Sequence, residues 1–401
     1  MKKNHILSLF LFGWTVAVIM PRPAAADMVD YGALQSLFGE PVTTSATGTP
    51  QRVSDVPANM TIITADEIRQ SGSRNIPQII GIYVPGIDVL QEGVRDFDVG
   101  VRGYQQPTNS RLQVLVDGRQ VFIDDYSRAI WANLPVNIDD IRQIEVVKGA
   151  SSALFGSNAG SGVINIVTYN PLYDKNNVAS VGFGTQHERN ADLTTTINGN
   201  VIGANNNKVG TKISAGGFDA DEFNVSRPSG DPNPPTAPYH RYITDSSVFK
   251  VTSNLQLNVE ATYAESTELT GDPTDGYTMG SEQATTYSFR GGASWDTPYG
   301  ILSTDNYFNH SLVSLSETTD NGVPYNSVTT MLFDQIQDQF RVGAAHTFRI
   351  TFDQYYKTYT NGRYFSVQIF QSPHVAVRHY HPSALQCYSS PPSEIPWGCC
   401  P

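Results

Sequence analysis

Downstream of Pro171 the chain repeats one simple pattern. In LQLNVEATYA, Leu255, Leu257, Val259, Ala261 and Tyr263 fall on one face of an extended strand, and Gln256, Asn258, Glu260 and Thr262 on the other. The same two-residue period returns at Tyr287, Phe289, Gly291, Ala293 and Trp295. It returns again at Phe340, Val342, Ala344, His346, Phe348 and Ile350. Roughly eight or nine such segments follow one another, each about as long as a tilted strand needs to cross a bilayer. No helical period interrupts them, so this part of the chain reads as a large antiparallel sheet.

The connections narrow the choice of sheet. Tight turns such as Gly203–Asn207 and Asp296–Gly300 take turns with long polar loops near Asp219–Thr244, Ser266–Gln283 and Glu317–Ser327. Short on one side and long on the other is the asymmetry of a transmembrane β-barrel, although a soluble β-sandwich also alternates. The N-terminus adds to the first reading. Lys2 and Lys3 precede an apolar run from Ile6 to Met20, closed by Pro21 and Ala24-Ala25-Ala26, the order of a secretory signal peptide over residues 1–26. Loss of Lys2, Lys3 and Arg22 with that leader takes the formal charge from −12 to −15, which makes nucleic acid a poor partner. No second apolar run is long enough for a membrane helix.

Between leader and sheet lie two further regions. Residues 27–59 are rich in Thr, Ser, Gly and Pro and read as a mobile arm, whose one β-prone patch is Glu40-Pro41-Val42-Thr43-Thr44-Ser45. From Met60 to Pro171 the texture is mixed. The strand MTIIT runs into Thr64-Ala65-Asp66-Glu67, a capping box, and Gly72 stops the helix that follows. A second helix is expected over Pro77–Ile82 and a strand over Phe97–Gly103. A hairpin should turn at Asp117-Gly118, and a helical turn at Asn137 should lead into a strand over Ile144–Val147. These elements make a small α+β domain of about 110 residues.

Its last part, IEVVKGASSALFGSNAGSGVINIVT, looks at first like a phosphate cradle. A phosphate-binding loop needs Gly-Lys-Ser/Thr after its first glycine, yet here Lys148 precedes Gly149. Gly156, Gly160 and Gly162 lack the dinucleotide-binding spacing and lead into a strand rather than a helix. Cys387, Cys399 and Cys400 have no paired metal-ligand spacing, and His374, His379 and His381 precede them without completing one. No metal site, no cofactor and no catalytic constellation is expected.

What the run does resemble is the plug domain of TonB-dependent outer-membrane receptors. The resemblance is carried by Val101-Arg102-Gly103, by Asp117-Gly118, and by Ile144, Glu145, Val146, Lys148, Gly149, Ser152 to Gly156, Gly162, Val163, Ile164, Asn165, Ile166 and Thr168. Ala150, Lys148 and Phe155 depart mildly from the family's proline, arginine and tyrosine. The resemblance implies an α+β plug (residues 60–171) inside an antiparallel transmembrane β-barrel, 22-stranded in the family. Glu40 to Ser45 would be the TonB box, offered as an added strand to TonB at the periplasmic face. Arg102 and Glu145, charged within otherwise apolar strands, are expected to pair across plug and barrel. Ligand contacts are expected around Gln91–Asp96, around Asp124–Trp131 and in the long loops. The implied function is uptake, without covalent chemistry, of a metal-chelate ligand across the bacterial outer membrane: a ferric siderophore or other iron complex, or cobalamin.

Length sits awkwardly with this reading. Twenty-two strands need roughly 460 residues, and about half of that follows Pro171. Residues 172–362 are therefore expected to supply only part of a barrel. The alternation fades beyond Arg363, so 363–401 reads as an aberrant tail and the chain as a truncated or frameshifted receptor unable to transport alone. The alternatives are a smaller outer-membrane porin or adhesin, and a secreted soluble binding protein.

Overall fold

The computed structural model describes residues 31–43, 51–56, 59–104, 109, 111–121, 128–155, 158–200, 208–223, 237–272, 278–317, 325–342, 346–361 and 366–380. The leader, the turn at Gly203–Asn207 and residues 381–401 lie outside them. The chain opens with helix α1 (Tyr31–Phe38), closed by Gly39 at φ 70°, and two short strands, β1 (Val42–Thr43) and β2 (Gln51–Arg52), which pair antiparallel.

The inner domain then runs β3 (Met60–Thr64), α2 (Ala65–Ser71), α3 (Ile76–Tyr83), β4 (Ile87–Gln91), β5 (Phe97–Val101), β6 (Leu112–Val116), β7 (Arg119–Gln120), β8 (Ile141–Lys148), α4 (Ser152–Phe155) and β9 (Gly162–Thr168). Its five-stranded sheet has the order β3-β8-β9-β6-β7, with β6 and β9 parallel. Strands β4 and β5 form a separate hairpin. Local chemistry fixes several joints. Thr64 and Glu67 satisfy each other's backbone amides at the start of α2, and Gly72 ends it at φ 68°. The expected hairpin turns at Asp117 (φ 50°) and Gly118 (φ 85°), the left-handed pair that a two-residue turn between twisted strands requires. Ile63, Ile79, Ile80, Ile144, Val146, Ile164 and Ile166 close a core between the sheet and the two helices.

Ten antiparallel strands wrap this domain as a wall, each pairing with the next: β10 (Val178–Phe183), β11 (Arg189–Asn200), β12 (Lys208–Asp219), β13 (Tyr239–Lys250), β14 (Leu255–Asp272), β15 (Thr278–Asp296), β16 (Gly300–Glu317), β17 (Tyr325–Val342), β18 (His346–Asn361) and β19 (Ser366–Tyr380). The sheet is open, with β10 and β19 at its edges. Its alternation is inside out. Ile197, Phe289 and Ile336 face outward at 71%, 55% and 53% exposure, while Lys212 and Gln256 point inward at 3% each. A soluble sandwich would bury the apolar row. Here the polar row faces the inner domain and the apolar row is presented outward, as lipid demands. None of the described helices is long and apolar enough to cross a membrane.

Two expectations change. The segment read as a long loop over Ser266–Gln283 is mostly strand, because β14 and β15 continue to Asp272 and from Thr278. Polar composition hid it: Glu268 and Thr270 are buried against Arg128 of the inner domain rather than solvated. The tail expected from residue 363 carries β19, paired with β18 from Asn361↔Ser366 to Thr347↔Tyr380. Pairing at a sheet edge needs backbone groups, not alternation, and an edge strand tolerates Pro373 without its N–H.

Gly162 marks the tightest point of the inner sheet. A Cβ there would stand 2.6 Å from the Val147 carbonyl oxygen. Gly162→Ala is expected to destabilise the chain by about 1–3 kcal/mol, read as a lower midpoint of thermal unfolding in detergent.

Candidate functional site

The functional geometry lies in the seam between inner domain and wall. The wall's inner face is mostly polar, so the two parts meet largely through ion pairs and hydrogen bonds, with one small apolar cluster of Ile130 and Ala132 on Ala284 and Val313. Arg119, buried on β7, donates through Nε to Glu260 Oε1 at 3.0 Å and through Nη1 to Ser288 Oγ at 3.0 Å. Arg128 reaches Asp96 at 2.9 Å, Glu282 at 3.1 Å and Thr270 at 3.2 Å, with Glu268 at 3.6 Å. Arg74 bridges Asp139 (3.0 Å) of its own domain and Asp192 (3.1 Å) of β11. Arg95 pairs with Glu188 and lies over the Phe218 ring, 3.9 Å from its centroid.

The wall returns cations of its own. Lys212 Nζ meets Asp140 at 2.7 Å, Thr168 Oγ1 at 2.8 Å and the Tyr169 carbonyl at 2.6 Å. Arg290 is clamped by both oxygens of Asp305 at 2.7 and 2.9 Å and donates to the Asp117 carbonyl at 2.7 Å. Burial pushes the Asp140 carboxyl up, against the opposing pull of Lys212. Asp98 stands apart. Burial, with Asp96 and Glu92 adding repulsion and Arg128 opposing it, pushes its pKa up to about 7, and its Oδ2 has no hydrogen-bond partner among the described residues.

The residues singled out in the sequence divide into those that build turns and those that face elsewhere. Asp117 accepts from the Thr168 amide (2.8 Å) and hydroxyl (2.7 Å), and Asn165 Oδ1 accepts from the Gly118 amide at 3.1 Å, so the hairpin is locked to β9. Gly149 at φ 118° donates its amide to the Ser161 carbonyl, and Lys148 Nζ donates to the Pro85 carbonyl at 3.0 Å. Gly103, at φ 81°, donates to Asp88 at 2.9 Å. Gly156 lies outside the described residues.

Of the two charges expected to pair across the seam, Arg102 is placed away from it. Arg102 is exposed in a turn at φ 55°, whereas Glu145 is fully buried on β8 beside Gln143, which donates to it at 2.6 Å. Position in sequence suggested them; the seam is served instead by Arg74, Arg95, Arg119, Arg128, Lys212 and Arg290. The missed signal was charge on the polar row of the strands, at Asp192, Glu260, Glu268 and Glu282.

The N-terminal patch is docked. Val42 and Thr43, each 1% exposed, form β1 against β2, and Gln143 Nε2 donates to the Val42 carbonyl at 2.8 Å. Glu40 accepts from Ser54 Oγ at 2.7 Å, with Arg52 at 3.6 Å; Pro41 takes the Val53 amide on its carbonyl. Thr44 and Ser45 lie outside the described residues. Residues Gln91–Asp96, expected to face a ligand, pack on the wall: the Val94 amide donates to Glu222 at 2.9 Å. Of Asp124–Trp131, the stretch before Arg128 lies outside the described residues.

Residues 52–163 match the family described as TonB-dependent Receptor Plug Domain. That stretch is a TonB-dependent receptor plug domain. Over 194 residues the chain is 33% identical to the vitamin B12 transporter of Vibrio vulnificus, covering 47% of this chain and 29% of that protein. Over 158 residues it is 27% identical to the ferrioxamine B receptor of Salmonella typhimurium, covering 39% of this chain and 22% of that one. The matched stretches thus span under a third of these relatives. The ferripyoverdine receptor of the outer membrane of Pseudomonas aeruginosa shares the fold, with a TM-score of 0.56 at 13% identity, over 84% of this chain and 56% of that one. The ten-stranded sheet around the plug accordingly shares the fold of that receptor's barrel wall.

The seam makes two predictions. Arg119→Met leaves buried Glu260 with only the longer Arg290 contact at 4.0 Å and should cost about 2–4 kcal/mol in denaturant unfolding, most of it recovered in R119M/E260L. For Asp98 the folded state holds its proton more tightly than the unfolded chain, so its contribution to stability falls as pH rises from about 4 to about 7. Asp98→Asn should therefore unfold at a higher temperature than the parent at pH 8 and at the same temperature near pH 4.

Proposed function

We propose that this chain serves active, TonB-coupled uptake of a large scarce nutrient through the bacterial outer membrane, most readily a ferric siderophore or other iron complex, with cobalamin as the second cargo class. The observation that carries the reading is a polar-lined wall filled by a separately folded domain. A filled pore admits no passive flow, so a cargo passes only if the plug is rearranged by an outside force. The names of the two curated relatives, one a vitamin B12 transporter and one a ferrioxamine B receptor, support both cargo classes.

In this reading the leader carries the chain out of the cytoplasm and is removed near Ala26. The apolar outer face of the wall then meets lipid, and Glu40 to Ser45 is the box that TonB takes as an added strand. Docking of Val42 and Thr43 against β2 means that the box must leave its own chain before a partner can pair with it. An open ten-stranded sheet seals no pore, and free strand edges are not tolerated in lipid. Transport therefore belongs to a form in which the edges at β10 and β19 are closed. The bonds made and broken are all non-covalent, and no enzymatic step is needed.

The test is pairing with the purified periplasmic domain of TonB. Val42→Pro removes a backbone donor and fixes φ in the core of the box, and should weaken binding by at least about tenfold. Val181→Pro on β10 should leave it unchanged. Equal binding by the parent and Val42→Pro proteins would sink the coupling.

A further inference from the structure

On the turn side of the plug a cavity of about 470 Å³ lies between the β6–β7 hairpin and the wall. Its place along the wall follows from its lining. Ser294 and Ser303 sit beside the tight turn at Asp296–Gly300, and Thr168 to Pro171 form the exit of the plug into β10. Gln91–Asp96 and Arg128 touch the opposite ends of the same strands, near Glu222, Thr270 and Glu282. A molecule arriving from the long-loop side meets the plug first and this cavity only afterwards.

The lining has a definite chemistry. Gln113 and Gln120, 2% and 5% exposed, border it from β6 and β7, and Gln113 Oε1 and Gln120 Nε2 have no hydrogen-bond partner among the described residues. One is an amide acceptor and the other an amide donor. Across from the plug, Tyr307, Phe333 and Tyr355 lie ring to ring on three neighbouring strands, their centroids 4.6 and 4.7 Å apart. The charges nearby balance: Arg290 pairs with Asp305 and Glu260 with Arg119, while one further carboxylate, Asp353, accepts from Gln335 Nε2 at 2.8 Å and one further guanidinium, Arg349, donates to Gln337 Oε1 at 2.6 Å. Neither a free cation nor an anion is therefore favoured. A neutral group with amide donors and acceptors on one side and an apolar ring or chain on the other fits, and the volume is that of an ordinary small-molecule site.

We infer that this cavity is an inner holding site, in which Gln113 and Gln120 take the amide-bearing part of a cargo once it has passed the plug. The inference rests on the transport reading above and adds a second station to it. Holding by weak, matched amide bonds lets a cargo pause without being trapped, because the same bonds exchange readily with water.

The test uses the full chain in detergent with Cys387, Cys399 and Cys400 changed to Ser, so that one introduced thiol reports. Ser303→Cys lines the cavity; Leu302→Cys, its exposed neighbour on the opposite face of β16 and outside the cavity lining, is the control. Cyanocobalamin and ferrioxamine B, both rich in amide or hydroxamate groups, are added separately, and the rate of maleimide labelling is followed. One of them should slow labelling of Ser303→Cys at least about threefold and leave Leu302→Cys unchanged. Gln113→Leu with Gln120→Leu should abolish that protection while thermal unfolding stays at or above the parent's midpoint. If the pair does not fold, Gln120→Met alone should at least halve the protection. Equilibrium dialysis separates the two readings. Cargo that binds without protecting Ser303→Cys, or that protects it equally in the Gln variants, overturns the inner site alone. No binding of either molecule overturns both the inner site and these cargo assignments.

Discussion

A wall that is apolar outside must be polar inside, and that alternation governs how the rest of the molecule is held. Lys212, Gln256, Glu260 and Thr262 occupy positions where a soluble sheet would place its core. The plug therefore sets few apolar side chains against the wall, chiefly Ile130 and Ala132 on Ala284 and Val313. It keeps its own closed core, with Ile63, Ile144, Ile164 and Ile166 fully buried among one another, and meets the wall with charge. The result is a domain that can fold as a unit and yet be fastened inside another.

Fastening by buried ion pairs has a particular energetic character. Each pair is costly to desolvate, so its net contribution is small, while breaking one partner away without replacement is severe. Arg119 with Glu260, Arg128 with Glu282 and Asp96, and Lys212 with Asp140 thus specify where the plug sits more than they stabilise it. Such contacts suit a part that must be held in register and later shifted, since water can take over both partners as they separate. An apolar seam of the same area would resist separation until it failed all at once.

What the sequence disclosed, and what it hid, follows the same division. The Thr64–Glu67 capping box, the Asp117-Gly118 turn and the run through Gly162 were legible because each depends on residues near one another in the chain. The alternation of Leu255 to Tyr263 was legible too, but its direction was not, since a period of two says nothing about which row faces inward. The seam was invisible for a third reason. Arg119 and Glu260 are separated by 141 positions, and only the folded register of β7 against β14 brings them together. Arg102, singled out by its motif, turned out to serve a turn. The strand ends near Glu268 were hidden by their polarity, which resembles a loop until the plug is placed against them.

The same topology determines how a pull at the N-terminus would travel. β1 is held by a two-residue ladder to β2 and by a bond from Gln143, with Pro41 and Glu40 tied beside it to Val53 and Ser54, a short attachment that meets a pull before the plug does. Tension then reaches the plug through β3, which lies at the edge of the five-stranded sheet and pairs only with β8. The pull enters at Met60, opposite Val147, so a force directed across the sheet opens the ladder one pair at a time toward Thr64. Unzipping β3 frees the edge of β8 and leaves β9, β6 and β7 joined, with Arg119 and the Asp117 turn still tied to the wall. Order of opening is thus written into strand order: the side of the plug nearest the N-terminus yields first, while the hairpin that borders the inner cavity stays anchored to Glu260 and Arg290.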